Sequence, residues 1–180
     1  MEECVRAIAA QQWGALQAAI EMASCYPYPH NVLGTQDAGS YVLRLANHQT
    51  GKWYGLFCGE ERPQAVAHMA LYGNGNGRDH SCWKIRHPLA LQQAPAKDHW
   101  VMLFNALIAE ACSIRPGTLK IVMFLSEYER AAASAAECAG FAIEGRLTDF
   151  YRPGEQCVVF GQTVRCAQPD YPPVTSIHHG

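Results

Sequence analysis

The chain has 180 residues, 49% of them apolar and 17% charged, with a formal net charge of -2. That is enough material for one well-buried domain and too little for two. So balanced a charge leaves no basic field for nucleic acid or an anionic membrane, which excludes both as expected partners. No stretch approaches the roughly 20 apolar residues of a membrane helix, and no apolar signal run follows the acidic start Met1-Glu2-Glu3-Cys4, so a cytoplasmic protein is expected. Eight cysteines are scattered from Cys4 to Cys166 with no Cys-x-x-Cys spacing. They read as reduced, mostly buried small hydrophobes, and no metal is expected.

From residue 4 to 23, Val5, Ile8, Trp13, Leu16, Ile20 and Met22 recur at three- and four-residue spacings. This predicts an amphipathic helix, or two short ones interrupted at Gly14. Tyr26-Pro27-Tyr28-Pro29-His30-Asn31 is expected to be irregular, because each proline pushes its predecessor out of the helical region. Tyr41 to Ala46 reads as a strand. Lys52 to Cys58 and Ala65 to Tyr72 read as a hairpin around Gly59-Glu60-Glu61-Arg62-Pro63. The Gly73-Asn74-Gly75-Asn76-Gly77 stretch lacks the following helix that a phosphate cradle needs, and is expected to be a hairpin loop.

Cys82 to Leu91 predicts the next strand, with His87-Pro88 near its end. Asp98 is placed as the cap of a helix whose apolar face is Trp100, Phe104, Leu107, Ile108 and Ala111, ending at Arg115-Pro116-Gly117. The continuous apolar run Ile121 to Leu125 suits a strand buried on both faces. Ser126 and Glu129 have the spacing of a capping box opening an Ala-rich helix to Ala139, and Gly140 stops it. Phe141, Ile143, Leu147 and Tyr151 then alternate with Glu144, Arg146 and Thr148. After the Pro153-Gly154 turn, Gln156 to Val164 returns as an antiparallel strand. Residues 1–164 are expected to form the domain, and 165–180, with three prolines and a His178-His179-Gly180 end, an irregular tail.

Glu129-Arg130-Ala131-Ala132, leading through a short helix into Gly140-Phe141 and then Glu144-Gly145-Arg146, resembles the corresponding element of the acetyltransferase (GNAT) superfamily. Glu129 stands where that element has Asn, and Ala136 where it often has a Tyr that protonates the leaving coenzyme A thiolate. The resemblance implies an α/β fold with a mixed, twisted central sheet, helices on both faces and a V-shaped gap between the Cys82 and Thr118 strands. It implies acetyl-CoA or another acyl-CoA as co-substrate, an amine acceptor on a small molecule or an exposed amino group, and a possible homodimer through the closing hairpin.

Residue by residue, the resemblance puts Pro88 and Leu89 beside the pantetheine arm. The pyrophosphate falls at the backbone N–H groups of His99, Trp100 and Val101, with Lys97 as neutralising charge, and Glu129 and Ala132 belong to the same cofactor site. Tyr26, Tyr28 and His30 become candidate substrate contacts. His87 is the candidate base, and Tyr128 and Tyr151 are the candidates to replace the missing Tyr. The superfamily's glycine-bearing phosphate loop is absent, since no glycine occurs from Arg78 to Pro116. The alternative is a degenerate member that keeps the fold as a binding or regulatory module.

Overall fold

The computed structural model describes residues 3–14, 16, 51–59, 62–74, 80–91 and 95–167. The predicted loop with Tyr26, Tyr28 and His30, the predicted strand Tyr41 to Ala46, residues 92–94 and the tail after 167 lie outside the described residues.

Among the described residues, seven strands form one sheet in the order β1-β2-β3-β4-β5-β7-β6. In chain order these are β1 (Glu3–Ala7), β2 (Gly51–Cys58), β3 (Ala65–Asn74), β4 (His80–Ala90), β5 (Gly117–Ser126), β6 (Ala142–Thr148) and β7 (Gln156–Cys166). The helix α1 (Lys97–Ile114) connects β4 to β5, and α2 (Arg130–Cys138) follows β5. Among the described residues only the β4–β5 pair is parallel, as a crossover through α1 requires.

Period-two patterning builds the core. Leu119, Ile121, Met123 and Leu125 of β5 are fully buried against α1 and α2, together with Trp83 and Ile85 of β4 and Leu56 of β2. From α1 come Trp100, Leu103, Phe104, Leu107 and Ala111, each large side chain contributing roughly 1.5–3 kcal/mol by its burial. Trp100 stacks on Phe104, whose ring meets Phe141 edge to face at 6.3 Å. Tyr54 of β2 donates to Glu110 of α1 at 3.0 Å. Burial, reinforced by that carboxylate, holds the Tyr54 hydroxyl far above its usual range.

The opposite face carries a smaller cluster, Ile8, Leu16, Trp53, Val66 and Leu89. Only alternate residues of β5 are fully buried, and Val122 and Phe124 are half-buried, so the expected strand buried on both faces is corrected. Phe124 instead carries the Lys84 ammonium 4.0 Å above its ring, and an ammonium keeps its surroundings partly wet.

Several local readings need correction. Residues 4–7 are not helical: they belong to β1, which pairs with β2 from Glu3↔Cys58 to Ala7↔Tyr54. Five ladder pairs outweigh a weak helical period. A 3-10 turn at Ala10–Gln12 follows, and the helical state begins only at Trp13. The first helix caps with Ala96, and Asp98 lies inside its first turn, exposed. The second caps with Glu129 rather than Ser126. Half of the predicted box survives, since Glu129 Oε2 accepts from Ser126 N–H at 2.7 Å. Ser126 stays in β5 and gives its hydroxyl to Glu155.

Gly140, at φ 91°, does stop α2. Phe141 N–H reaches Ala136 O and Gly140 N–H reaches Glu137 O, both at 3.0 Å, the paired bonds of a Schellman stop. The alternation in β6 buries neither face, because β6 is an edge: Ile143 is 44% and Leu147 39% exposed. Not all cysteines are reduced. Cys112 of α1 is bonded to Cys166, their Cα atoms 5.5 Å apart, so Arg165 and Cys166 end β7 instead of beginning a tail. Cys58 and Cys157 are buried as expected, while Cys4 and Cys138 are exposed.

Candidate functional site at the open end of β4 and β5

Strand β4 pairs with β5 from His80↔Thr118 only as far as Ile85↔Met123. Beyond that point β4 keeps its other partner, with Arg86↔His68, Leu89↔Val66 and Ala90↔Ala65. Phe124, Leu125 and Ser126 likewise stay paired with β7. The two strands therefore diverge, and the backbone groups of residues 86–90 and 124–126 that would have joined them face a gap.

The divergence has a local cause. Between His68 and Val66 the β3–β4 register shifts, so that β4 holds one residue more than its partner, a bulge formed by His87 and Pro88. His87 sits at φ 49°, the left-handed region that a non-glycine residue seldom adopts and that costs on the order of 1–3 kcal/mol. A bulge bends its strand and increases twist, which turns the end of β4 away from β5. The bulge also moves Leu89 onto the face opposite α1, where it joins Trp53 and Val66.

Burial comes first in pushing the His87 imidazole down to about 3, followed by the like charges of His68, Arg86 and Lys84. It is neutral at physiological pH. The Trp53 ring lies 6.5 Å from His87 and 5.4 Å from His68, which is fully buried. Lys84 is also shifted down, first by burial and then by Arg86. This cationic group was not singled out in the sequence, although the alternation of Cys82, Lys84 and Arg86 against Trp83 and Ile85 was its signal.

At the β5 side, Ser126, Glu129 and Glu155 are all buried. Glu155 pairs with Arg152 at 3.2 Å. Tyr151 is half-buried, meets Phe150 edge to face at 5.0 Å and packs on the cluster containing Leu89. It also hydrogen-bonds the buried Cys157 thiol, whose pKa is raised chiefly by burial. Tyr128, by contrast, is 63% exposed on the turn before α2. Of the two tyrosines, Tyr151 is the one packed on the cluster that contains Leu89 of β4.

Parallel β4–α1–β5 topology puts the start of α1 at this same end. Ala96 O accepts from both His99 N–H, at 3.0 Å, and Trp100 N–H, at 3.4 Å. The outward-facing donors are thus one or two residues earlier than expected, at Lys97 and Asp98. Trp100 is 2% exposed and stacked in the core, so its indole does not obstruct the helix start. Lys97 is exposed, and its ammonium is held up first by a hydrogen bond to Cys138. Ala132 is on the buried face of α2; Pro88 and Leu89 are buried at the bulge.

Such an arrangement can take an extended, amide-bearing chain into the gap as though it were a strand, with a phosphate group at the helix start. No protein-family model and no curated protein matches the chain. Solved structures do. Arabidopsis thaliana NAA60 in complex with acetyl-CoA is 11% identical with a TM-score of 0.69, over 91% of this chain and 99% of that one. Spermidine N-acetyltransferase from Vibrio cholerae, in complex with CoA and spermine, is 11% identical with a TM-score of 0.64, over 89% and 95%. Aminoglycoside acetyltransferase AAC(6')-Ib in complex with coenzyme A is 18% identical with a TM-score of 0.61, over 90% and 95%. The architecture is that of the acyl-CoA N-acyltransferase fold.

Proposed function

We propose that the chain is an N-acyltransferase that moves an acetyl or related acyl group from acyl-CoA to an amine of a small molecule or an exposed amino group. The observation that carries this reading is the opening of β4 from β5 beyond Ile85 and Met123, with the bulge at His87 and Pro88 on its rim. The similar structures named above were solved with CoA or acetyl-CoA, which supports the same assignment.

Acyl transfer to an amine asks mainly for positioning: the thioester must lie where a neutral amine can attack, and the departing thiolate gains from a proton donor. In this reading the pantetheine arm bonds the open edge of β4 at Pro88 and Leu89, and the pyrophosphate meets the first N–H groups of α1. Lys97 adds charge once it exchanges its Cys138 contact for phosphate. His87, neutral but so weakly basic, accepts a hydrogen bond from the incoming amine and orients it; the proton leaves to solvent. Tyr151 protonates the thiolate. The exposed edge β6, with Ile143 and Leu147, is the surface on which a second copy would pair.

The second reading, a binding module without transfer, is favoured by the engaged side chains at the start of α1, Lys97 with Cys138 and His99 with Glu3. Thermal-shift titration with acetyl-CoA separates the outcomes. A ligand at a hundredfold its dissociation constant adds about 2.7 kcal/mol of stability. A shift together with acetyl transfer to a panel of polyamines and peptide amines supports the enzyme. A shift without transfer supports the module, and no shift at millimolar acetyl-CoA rejects the enzyme and leaves the module.

A further inference from the structure

On the β1–β2 side of the sheet, three metal-ligating side chains from three separate elements meet beside the start of α1. Glu3 and Cys58 are direct partners in the β1–β2 ladder, which places their side chains on one face with Cβ atoms about 4.5–5.5 Å apart. His99, in the first turn of α1, meets that face, its Nε2 3.1 Å from Glu3 Oε1. The carboxylate oxygen, the thiol sulfur and the imidazole nitrogen all lie within 4.8 Å of one another. Ligand atoms at zinc distances of about 2.0–2.3 Å in tetrahedral geometry stand roughly 3.3–3.7 Å apart. Side-chain torsions of about an ångström close the difference.

We propose that Glu3, Cys58 and His99 form a zinc site, with three protein ligands and solvent in the fourth position. A thiolate with an imidazole selects zinc over magnesium or calcium, which prefer oxygen alone. The thiolate and the carboxylate together balance the two positive charges of the ion. Binding breaks the Cys58 S–H bond, forms a zinc–sulfur bond and releases the proton to solvent. Cys58 is 9% exposed and Glu3 lies at the surface, so the ion enters from the Glu3 side and ends against the sulfur. Bound there, it fastens the edge strand β1 to α1, two elements that otherwise share few contacts. Sequence spacing hides the site, since positions 3, 58 and 99 belong to no ligand motif.

Titration of the full-length protein with Zn2+, and with Co2+ as the spectroscopic probe, tests the assignment. The expected result is one equivalent bound, a thiolate-to-cobalt charge-transfer band in the near ultraviolet, release of one proton and a rise in unfolding temperature. Cys58→Ser should abolish the charge-transfer band. Because Cys58 is buried and its replacement can disturb folding, Glu3→Gln at the exposed edge is the deciding variant. It should weaken zinc binding by about tenfold or more while the metal-free protein melts near the parent temperature. Absence of the band at tenfold excess Co2+ overturns the proposal. So does binding that is unchanged in both variants, which would assign the metal to other ligands such as His178 and His179.

Discussion

The two ends of β5 have opposite architectures. At the Gly117 end the strand is paired on both sides, to His80 and Ser81 in β4 and to Arg165 and Cys166 in β7. The Cys112–Cys166 bond staples α1 to the same end. At the Ser126 end only β7 remains, and a strained His87 bulge holds β4 away. One strand thus serves as anchor and as rim. The difference shows how a sheet can hold a permanent opening: backbone hydrogen bonds given up at one end are tolerated because the other end cannot slip.

Breaking the anchored end should have the largest effect on stability. In the oxidised protein, Cys166→Ser removes a cross-link between positions 54 residues apart, and urea unfolding should show a loss of roughly 2–4 kcal/mol. Acetyl-CoA affinity should change little, because the open end keeps its β3 and β7 pairings. A loss confined to cofactor binding, with the unfolding midpoint unchanged, would contradict this division of labour.

At the open end, Tyr151→Phe should lower kcat by about a hundredfold, equivalent to about 2.7 kcal/mol of transition-state stabilisation, with KM for acetyl-CoA nearly constant. Steady-state kinetics with a reactive amine checks it. An equal rise in KM would instead mark Tyr151 as a binding contact.

The smallest effect concerns His87. Its folded pKa, near 3, lies below the unfolded value near 6.5, so the unfolded chain binds the extra proton between those values. Its contribution to stability is therefore constant above about pH 6.5 and declines as pH falls through that window. Between pH 6.5 and 5.5 the decline should be on the order of 1 kcal/mol. His87→Gln should flatten this component of the pH profile in urea unfolding. An unchanged slope would show that the imidazole protonates freely in the folded protein.

Much of the frame was legible along the chain because local chemistry carried it. The hairpin of β2 and β3, the apolar stripe of α1 and the Gly140 stop each rest on residues close together in the chain. The capping reading at Ser126 located the right residues and misassigned their roles. Glu129 does reach back to the Ser126 amide, but Glu155, 29 residues away, competes for the serine hydroxyl. Residues 4–7 misled for a related reason: a helical period competed with an unpaired edge of β2 that no local window contains.

Period and turn chemistry marked by themselves the hairpin of β2 and β3, a strand followed by a helix at β4 and α1, and another at β5 and α2, while the mixed sheet came from the resemblance carried by Glu129 to Phe141. His87-Pro88 was already placed near the end of the strand predicted from Cys82 to Leu91, and β4 does run through it to Ala90. Tertiary structure alone decided that β4 leaves β5 after Ile85, that Tyr151 packs on the Leu89 cluster while Tyr128 is exposed, that Cys112 meets Cys166, and that Glu3, Cys58 and His99 converge. Each depends on register between segments tens of residues apart, where pairing energy is shared over a whole ladder and no single residue encodes the outcome.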